Sequence, residues 1–134
     1  MPYASKFIPN FYFLNIGTCC KVVGFDFVGE NADDNYIKQD GLVNRYPYWI
    51  SSTGNYSIWH YSTNESYGWL EGPVSYLGTD NGYTWTMSNT TCIEDIDTPW
   101  YYNNGSHWIH ADNYLNLTCY TASKYILNEA SRLL

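Results

Sequence analysis

The sequence predicts an all-β domain, an antiparallel sandwich or barrel-like fold with an extended N-terminal arm and a short C-terminal helix. Three observations predict it. The 134 residues include 15 Tyr, 6 Trp and 5 Phe but little of the Glu, Lys and Leu mixture that helices favour, and aromatic and β-branched side chains suit a pleated, half-buried surface. Ten Gly, five Pro and many Asn, Asp and Ser supply turns at short intervals. Between those turns lie short runs in which apolar and polar residues alternate.

The elements follow in order. Residues 1–18 form an apolar arm that ends at Gly17-Thr18, and residues 19–120 form the domain proper. A strand is expected from Cys20 to Val28, with Val23, Phe25 and Phe27 sharing one face and Asp26 on the other. Gly29–Gly41 is a polar, acidic loop with a short strand at Tyr36–Lys38. Leu42–Ser51 is the next expected strand, with Pro47 placing it at an edge or bulge. Tyr56–Ser62 follows, then short strands at Gly68–Leu70 and Val74–Leu77. Asp80-Asn81-Gly82 turns into a strand at Tyr83–Met87. A loop with Cys92, Glu94, Asp95 and Asp97 leads to Trp100, Asn103-Asn104-Gly105 turns into Ser106–His110, and Tyr114–Tyr120 closes the domain. In the tail, residues 121–134, the apolar side chains of Ile126, Leu127, Ala130, Leu133 and Leu134 fall at helical spacing.

The cysteines and sequons speak to compartment. Cys19, Cys20, Cys92 and Cys119 form an even set without C-x-x-C spacing, which favours disulfides over a zinc or redox motif. Adjacent cysteines on an extended chain point to opposite sides, so one of Cys19 and Cys20 is expected to pair with Cys119 and the other with Cys92. Spacing does not decide which. Five N-glycosylation sequons begin at Asn55, Asn64, Asn89, Asn104 and Asn116. Together these predict an extracellular or cell-surface protein. No leader is legible in residues 7–16, where Pro9, Asn10 and Asn15 interrupt the apolar run and no small-x-small site follows. No run approaches the ~20 apolar residues of a helical membrane span, so membrane insertion is not expected.

The sequons also phase the strands. In Asn116-Leu117-Thr118 the glycan acceptor must face out, which sends Asn116, Thr118 and Tyr120 outward and Leu115, Leu117 and Cys119 inward. On an unbulged strand the same parity at Asn55 sends Trp59 and Tyr61 outward, where they become candidate sugar- or partner-stacking residues.

Charge and motifs exclude several functions. Thirteen acidic against six scattered basic residues give a net charge of −7, and nucleic-acid binding needs a basic footprint. No Gly-x-Ser-x-Gly elbow or phosphate-cradling glycine loop is present. His107-x-x-His110 with Asp112 offers metal-ligand types, but on a strand the two histidines face opposite sides. Glu94, Asp95 and Asp97, or Asp33, Asp34 and Asp40, are carboxylate clusters suited to calcium or to acid/base work. They lack EF-hand spacing, so solvated loops are expected, with no catalytic residues and no cofactor beyond a calcium candidate.

Read together, Cys20-Lys-Val-Val-Gly-Phe25, Asp40-Gly41, Arg45-Tyr-Pro-Tyr-Trp49, Tyr56-Ser-Ile-Trp-His-Tyr61, Trp69-Leu-Glu-Gly72, Pro99-Trp100 and Trp108 ahead of Leu117-Thr-Cys119 form a familiar order. Over about residues 20–120 the chain resembles the small Trp/Tyr-rich, cysteine-closed β modules of invertebrate and protist surface proteins. Cys19, Cys92, the arm and the tail depart from that pattern. The resemblance implies a non-catalytic module. The expected function is a structural glycoprotein subunit that self-associates into a larger assembly such as a filament through its arm, with copies of itself or other extracellular proteins as partners. The alternative is a lectin-like module that binds glycans through exposed Trp and Tyr.

Overall fold

The computed structural model describes residues 19–27, 34–111 and 115–120. Nine strands run in chain order: β1 Val22–Phe27, β2 Asp34–Lys38, β3 Trp49–Ser51, β4 Tyr56–Ser62, β5 Tyr67–Pro73, β6 Thr84–Thr86, β7 Tyr101–Asn103, β8 Trp108–His110 and β9 Leu115–Tyr120. All pair antiparallel in one sheet of order β8-β7-β6-β5-β4-β3-β2-β1-β9. The fold is therefore the barrel-like member of the expected pair, a curled half-barrel, and not two stacked sheets.

The curl is visible in contacts that cross it. Tyr36 on β2 donates its hydroxyl to Glu71 Oε2 on β5 at 3.1 Å, although two strands separate them in the sheet. Edge strands β8 and β9 are only four residues apart in sequence, a link that spans at most about 18 Å. A flat nine-stranded sheet would hold its edges about 38 Å apart, at eight inter-strand spacings.

The concave face is the core. Val23 and Phe25, Tyr36, Trp49, Ile58 and Trp69 come from five successive strands and are fully buried, with Ile93 and Trp100 closing over them. Phe25 meets Tyr36 and Trp100 edge-on, at 5.8 and 5.3 Å between ring centroids. Each such ring removes 150–250 Å² from water, roughly 4–6 kcal/mol of transfer free energy. Two polar groups inside this face find their partners within it. Trp49 donates its indole N–H to the Cys20 carbonyl at 2.8 Å. Buried Glu71 accepts from Thr84 Oγ1 at 3.2 Å as well as from Tyr36.

Two disulfides close the module, Cys19–Cys92 and Cys20–Cys119. They supply the assignment that spacing left open. Cys20–Cys119 ties edge strand β9 to its neighbour β1, and Cys19–Cys92 ties the start of β1 to the loop between β6 and β7.

Several element boundaries differ from expectation. The strand expected over Leu42–Ser51 is strand only at Trp49–Ser51. Val43 and Tyr46 exchange backbone hydrogen bonds of 2.9 and 3.0 Å around Asn44 and Arg45, whose φ values of 53° and 74° form a left-handed turn. Gly68–Leu70 extends to the seven residues of β5, while Val74–Tyr76 is a 3-10 turn and not a strand: Val74 makes the last ladder bond, to the Asn55 carbonyl at 2.9 Å, and Leu77 then donates its N–H back to the Val74 carbonyl at 3.2 Å. Strand β7 was not anticipated. The arm 1–18 and the helical tail 121–134 lie outside the described residues.

Candidate functional site

The convex face carries the site. The register Leu70↔Trp85, Trp85↔Tyr101 and Tyr101↔His110 sets these side chains on one face, opposite Glu71 and Thr84 of the core. Asn103↔Trp108 extends the same face by one pair. The short strands β6, β7 and β8 thus present a row of rings to the outside. Trp85 lies 5.9 Å from Tyr101 and 6.5 Å from Trp108, and Tyr101 meets His110 edge-on at 4.7 Å.

Trp108 also walls a cleft of about 660 Å³ together with Tyr76 and Tyr83, and Asp80, Asn81 and Asn103 supply its polar groups. The three rings are 40–44% exposed, so their faces are available to a ligand. Tyr76 and Tyr83 stand edge-to-face at 6.4 Å.

Two connections build the walls. The β5–β6 connection folds through the 3-10 turn, then Thr79 donates its N–H and hydroxyl to the Tyr76 carbonyl at 3.0 and 2.6 Å. Gly78 takes a φ of 87°. Tyr83 returns to the sheet by donating its N–H to the Glu71 carbonyl at 2.7 Å. Gly82 passes so close that a Cβ there would stand 3.0 Å from Leu70 Cδ2 and 3.1 Å from the Glu71 carbonyl oxygen. The opposite wall is the β7–β8 hairpin. Asn103 Oδ1 accepts the Gly105 N–H at 2.8 Å, and Asn104 Oδ1 accepts those of Ser106 and His107 at 2.9 and 3.0 Å. Such Asx turns are what Asn supplies in a tight connection.

Trp59 is the main correction. It lies on the convex face, as parity required, opposite Leu70, yet it is fully buried. The β5–β6 connection covers it, and its indole N–H donates to the Thr79 carbonyl at 2.8 Å. Trp59 is therefore sealed beneath that connection and offers no stacking surface. Tyr61 is half-buried and does not line the cleft. Asn55 lies in the turn before β4, and Ser57 of its sequon is buried.

Asn55, Asn64, Asn89, Asn104 and Asn116 are all exposed. On β9 the alternation is as the Asn116 sequon required: Asn116, Thr118 and Tyr120 are exposed, while Leu115, Leu117 and Cys119 pack against the core. His107 is in the hairpin turn and His110 on the convex face, so strand parity is not what separates them. Asp112 and Asp33 lie outside the described residues. Asp40, Asp95 and Asp97 are exposed, whereas Glu94 turns in and accepts the Cys20 N–H at 2.7 Å. Burial pushes its carboxyl above the ordinary range. Among the described residues, Cys19, Cys92 and Glu94 are the group of metal-ligand types gathered within 4.8 Å, but the two sulfurs are bonded to each other and are not thiolate ligands.

Tyr76, Tyr83, Asp80, Asn81 and Asn103 were not singled out from the sequence. The available signal was period two across a meander: Tyr83-x-Trp85, Tyr101-x-Asn103 and Trp108-x-His110, joined by Asn- and Gly-containing turns. No helix among the described residues is long and apolar enough to cross a membrane. No family model, curated protein or solved structure matches the chain.

Proposed function

We propose that this chain is a non-catalytic extracellular carbohydrate-binding module, with the cleft of Tyr76, Tyr83 and Trp108 as its sugar site. The observation that carries the proposal is the cleft itself: three exposed rings beside two amides and a carboxylate in about 660 Å³, within the range of small-ligand sites. A pyranose ring has C–H faces that settle on the electron-rich face of an aromatic ring, and its rim of hydroxyls suits Asp80, Asn81 and Asn103. The two disulfides and five exposed sequon asparagines support an oxidising, extracellular setting.

The test is a glycan array probed with protein made without N-glycans in an oxidising bacterial compartment, with and without chelator. Trp108→Ala is expected to lower affinity at least tenfold, and Tyr61→Ala to leave it unchanged. Absence of binding by the wild type under both conditions would sink the proposal. Binding lost only with chelator would add calcium to it, with Asp80 as the nearest carboxylate.

A second reading concerns assembly. Among the described strands, β9 pairs on one side only, and its six residues leave a row of backbone groups open to a further strand. That edge favours self-association by strand addition, with the arm as the donor.

A further inference from the structure

The sequon asparagine Asn104 lies between two residues that line the cleft, Asn103 and Gly105. From this position, and resting on the sugar-site reading above, we infer that the N-linked glycan of Asn104 folds back onto Trp108 and occupies the cleft of its own chain. The module is thus self-occluded, and its sugar site is regulated by its own glycosylation.

The hairpin geometry supports attachment. Asn104 is exposed, and its Oδ1 is held by the N–H groups of Ser106 and His107 at 2.9 and 3.0 Å. The nitrogen Nδ2 makes no part of that turn. It is the atom a glycan requires. Transfer from a lipid diphosphate-linked oligosaccharide forms the bond from Nδ2 to C1 of the first N-acetylglucosamine. The C1–O bond to the diphosphate breaks, the lipid diphosphate leaves, and Nδ2 loses one proton. Oδ1 remains an acceptor, so the modified side chain keeps its turn.

The geometry also supports seating. The Cα of Asn104 is about 3.8 Å from the Cα atoms of both neighbouring cleft residues. The backbone between attachment point and cleft is pinned: Asn104 donates its N–H to the His107 carbonyl at 3.1 Å, and Asn103 Oδ1 holds the Gly105 N–H. Trp108 faces Asn103 directly across the hairpin. A sugar tethered this closely meets the ring at an effective concentration in the millimolar range. An external glycan must displace it, and its apparent affinity falls by the fraction of clefts left open.

The other four sequons provide the contrast. Asn55 is in the β3–β4 turn, Asn64 in the β4–β5 turn, Asn89 in the loop after β6, and Asn116 on β9. None of them adjoins a cleft residue in sequence.

The experiment compares protein secreted from eukaryotic cells as wild type, Ser106→Ala and Trp108→Ala. Ser106→Ala abolishes the sequon but keeps Asn104 and its turn. Glycopeptide mass spectrometry must first show Asn104 occupied in the wild type; an unmodified Asn104 overturns the inference. Proton NMR then reads the N-acetyl methyl of the Asn104-linked sugar. An upfield ring-current shift that vanishes in Trp108→Ala is expected, and an unshifted methyl overturns the inference. Titration with the best array ligand is expected to give Ser106→Ala a two- to tenfold tighter apparent affinity than the wild type. Equal affinities overturn the self-occlusion while leaving the sugar-site reading intact. A shifted methyl with no external binding by any form overturns the sugar-site reading and keeps the seated glycan.

Discussion

Burial pushes the His60 imidazole below its ordinary pKa, and the Ser88 carbonyl that its Nε2 meets at 3.0 Å pulls the other way. The ring stacks on Tyr46 at 3.7 Å and stands edge-on to Trp69 at 5.3 Å. A base with a depressed folded pKa gives stability that is whole above its unfolded value, 6.5, and is lost as pH falls below it. Over that window the unfolded chain takes up a proton that the folded chain refuses, at most about 1.4 kcal/mol per pH unit. Glu94 has the opposite slope. Its folded pKa is raised by burial, so its contribution is whole below the ordinary carboxylate value and declines as pH rises through the shifted one. Denaturant midpoints measured from pH 7 to 5 should show a smaller loss in His60→Phe than in the wild type, since Phe keeps the stack but cannot charge. In Glu94→Gln, which keeps an acceptor for the Cys20 N–H, stability should gain on the wild type as pH rises from 4.5 toward 7. Parallel curves for variant and wild type would remove the burial argument at that residue.

Strand β5 shows how one small residue positions an element. A Cβ on Gly68 would strike the Thr86 carbonyl oxygen and stand 2.5 Å from Trp85 Nε1, so the bare backbone of β5 is what lets the Trp85 indole lie flat over the sheet. Gly68→Ala should cost about 1–3 kcal/mol through overpacking and shift Trp85 toward solvent, read as a red shift in fluorescence that Trp85→Phe abolishes. Gly54→Ala has open space around it but a φ of 81°, and should cost only about 1 kcal/mol with no spectral change. A larger loss at Gly54 than at Gly68 would reverse the assignment of clash and strain. The same element explains what was legible beforehand. Parity placed β9 correctly because a sequon on one face and a cysteine on the other leave one register consistent with both. Parity also put Trp59 on the right face, but a face is not an exposure: the β5–β6 connection covers it through contacts between residues distant in sequence, the Thr79 carbonyl on the Trp59 indole and Gly82 against Leu70 and Glu71. Strand β7 is not legible by itself because the three residues after Pro99-Trp100 are too short a run for a period of two to stand out. They become a strand only through β6 and β8, and with them the cleft stayed invisible.

At the scale of the whole molecule, the curl of the described strands leaves two edges that differ in what they can accept. β8 has three residues and borders the ring row, whereas β9 has six and is held to β1 by six residue pairs and by Cys20–Cys119. Cys19 and Cys20 stand at the end of the sheet where β9 finishes, since Val22 pairs with Tyr120. An apolar arm of 18 residues starting there is long enough for a donated strand, and the open flank of β9 on a second copy is the complement it fits. Its inward residues Leu115 and Leu117 already pack on the core, so an added strand would extend an existing apolar surface. Deleting residues 1–18 should therefore convert an oligomer to a monomer in light scattering, while both disulfides and the far-ultraviolet β signature persist. The disulfides make this a clean separation, because loops of 73 and 99 residues each contribute about 4–5 kcal/mol in the chain-entropy model without involving the arm. An unchanged oligomer after the deletion would remove the arm from the assembly. A glycan on Asn116 projects from the convex face of β9 and not from its backbone flank, so Thr118→Ala, which deletes that sequon, should leave the number of chains per oligomer unaltered. Dissociation in that variant would mean that copies meet through the glycosylated face instead of the strand edge.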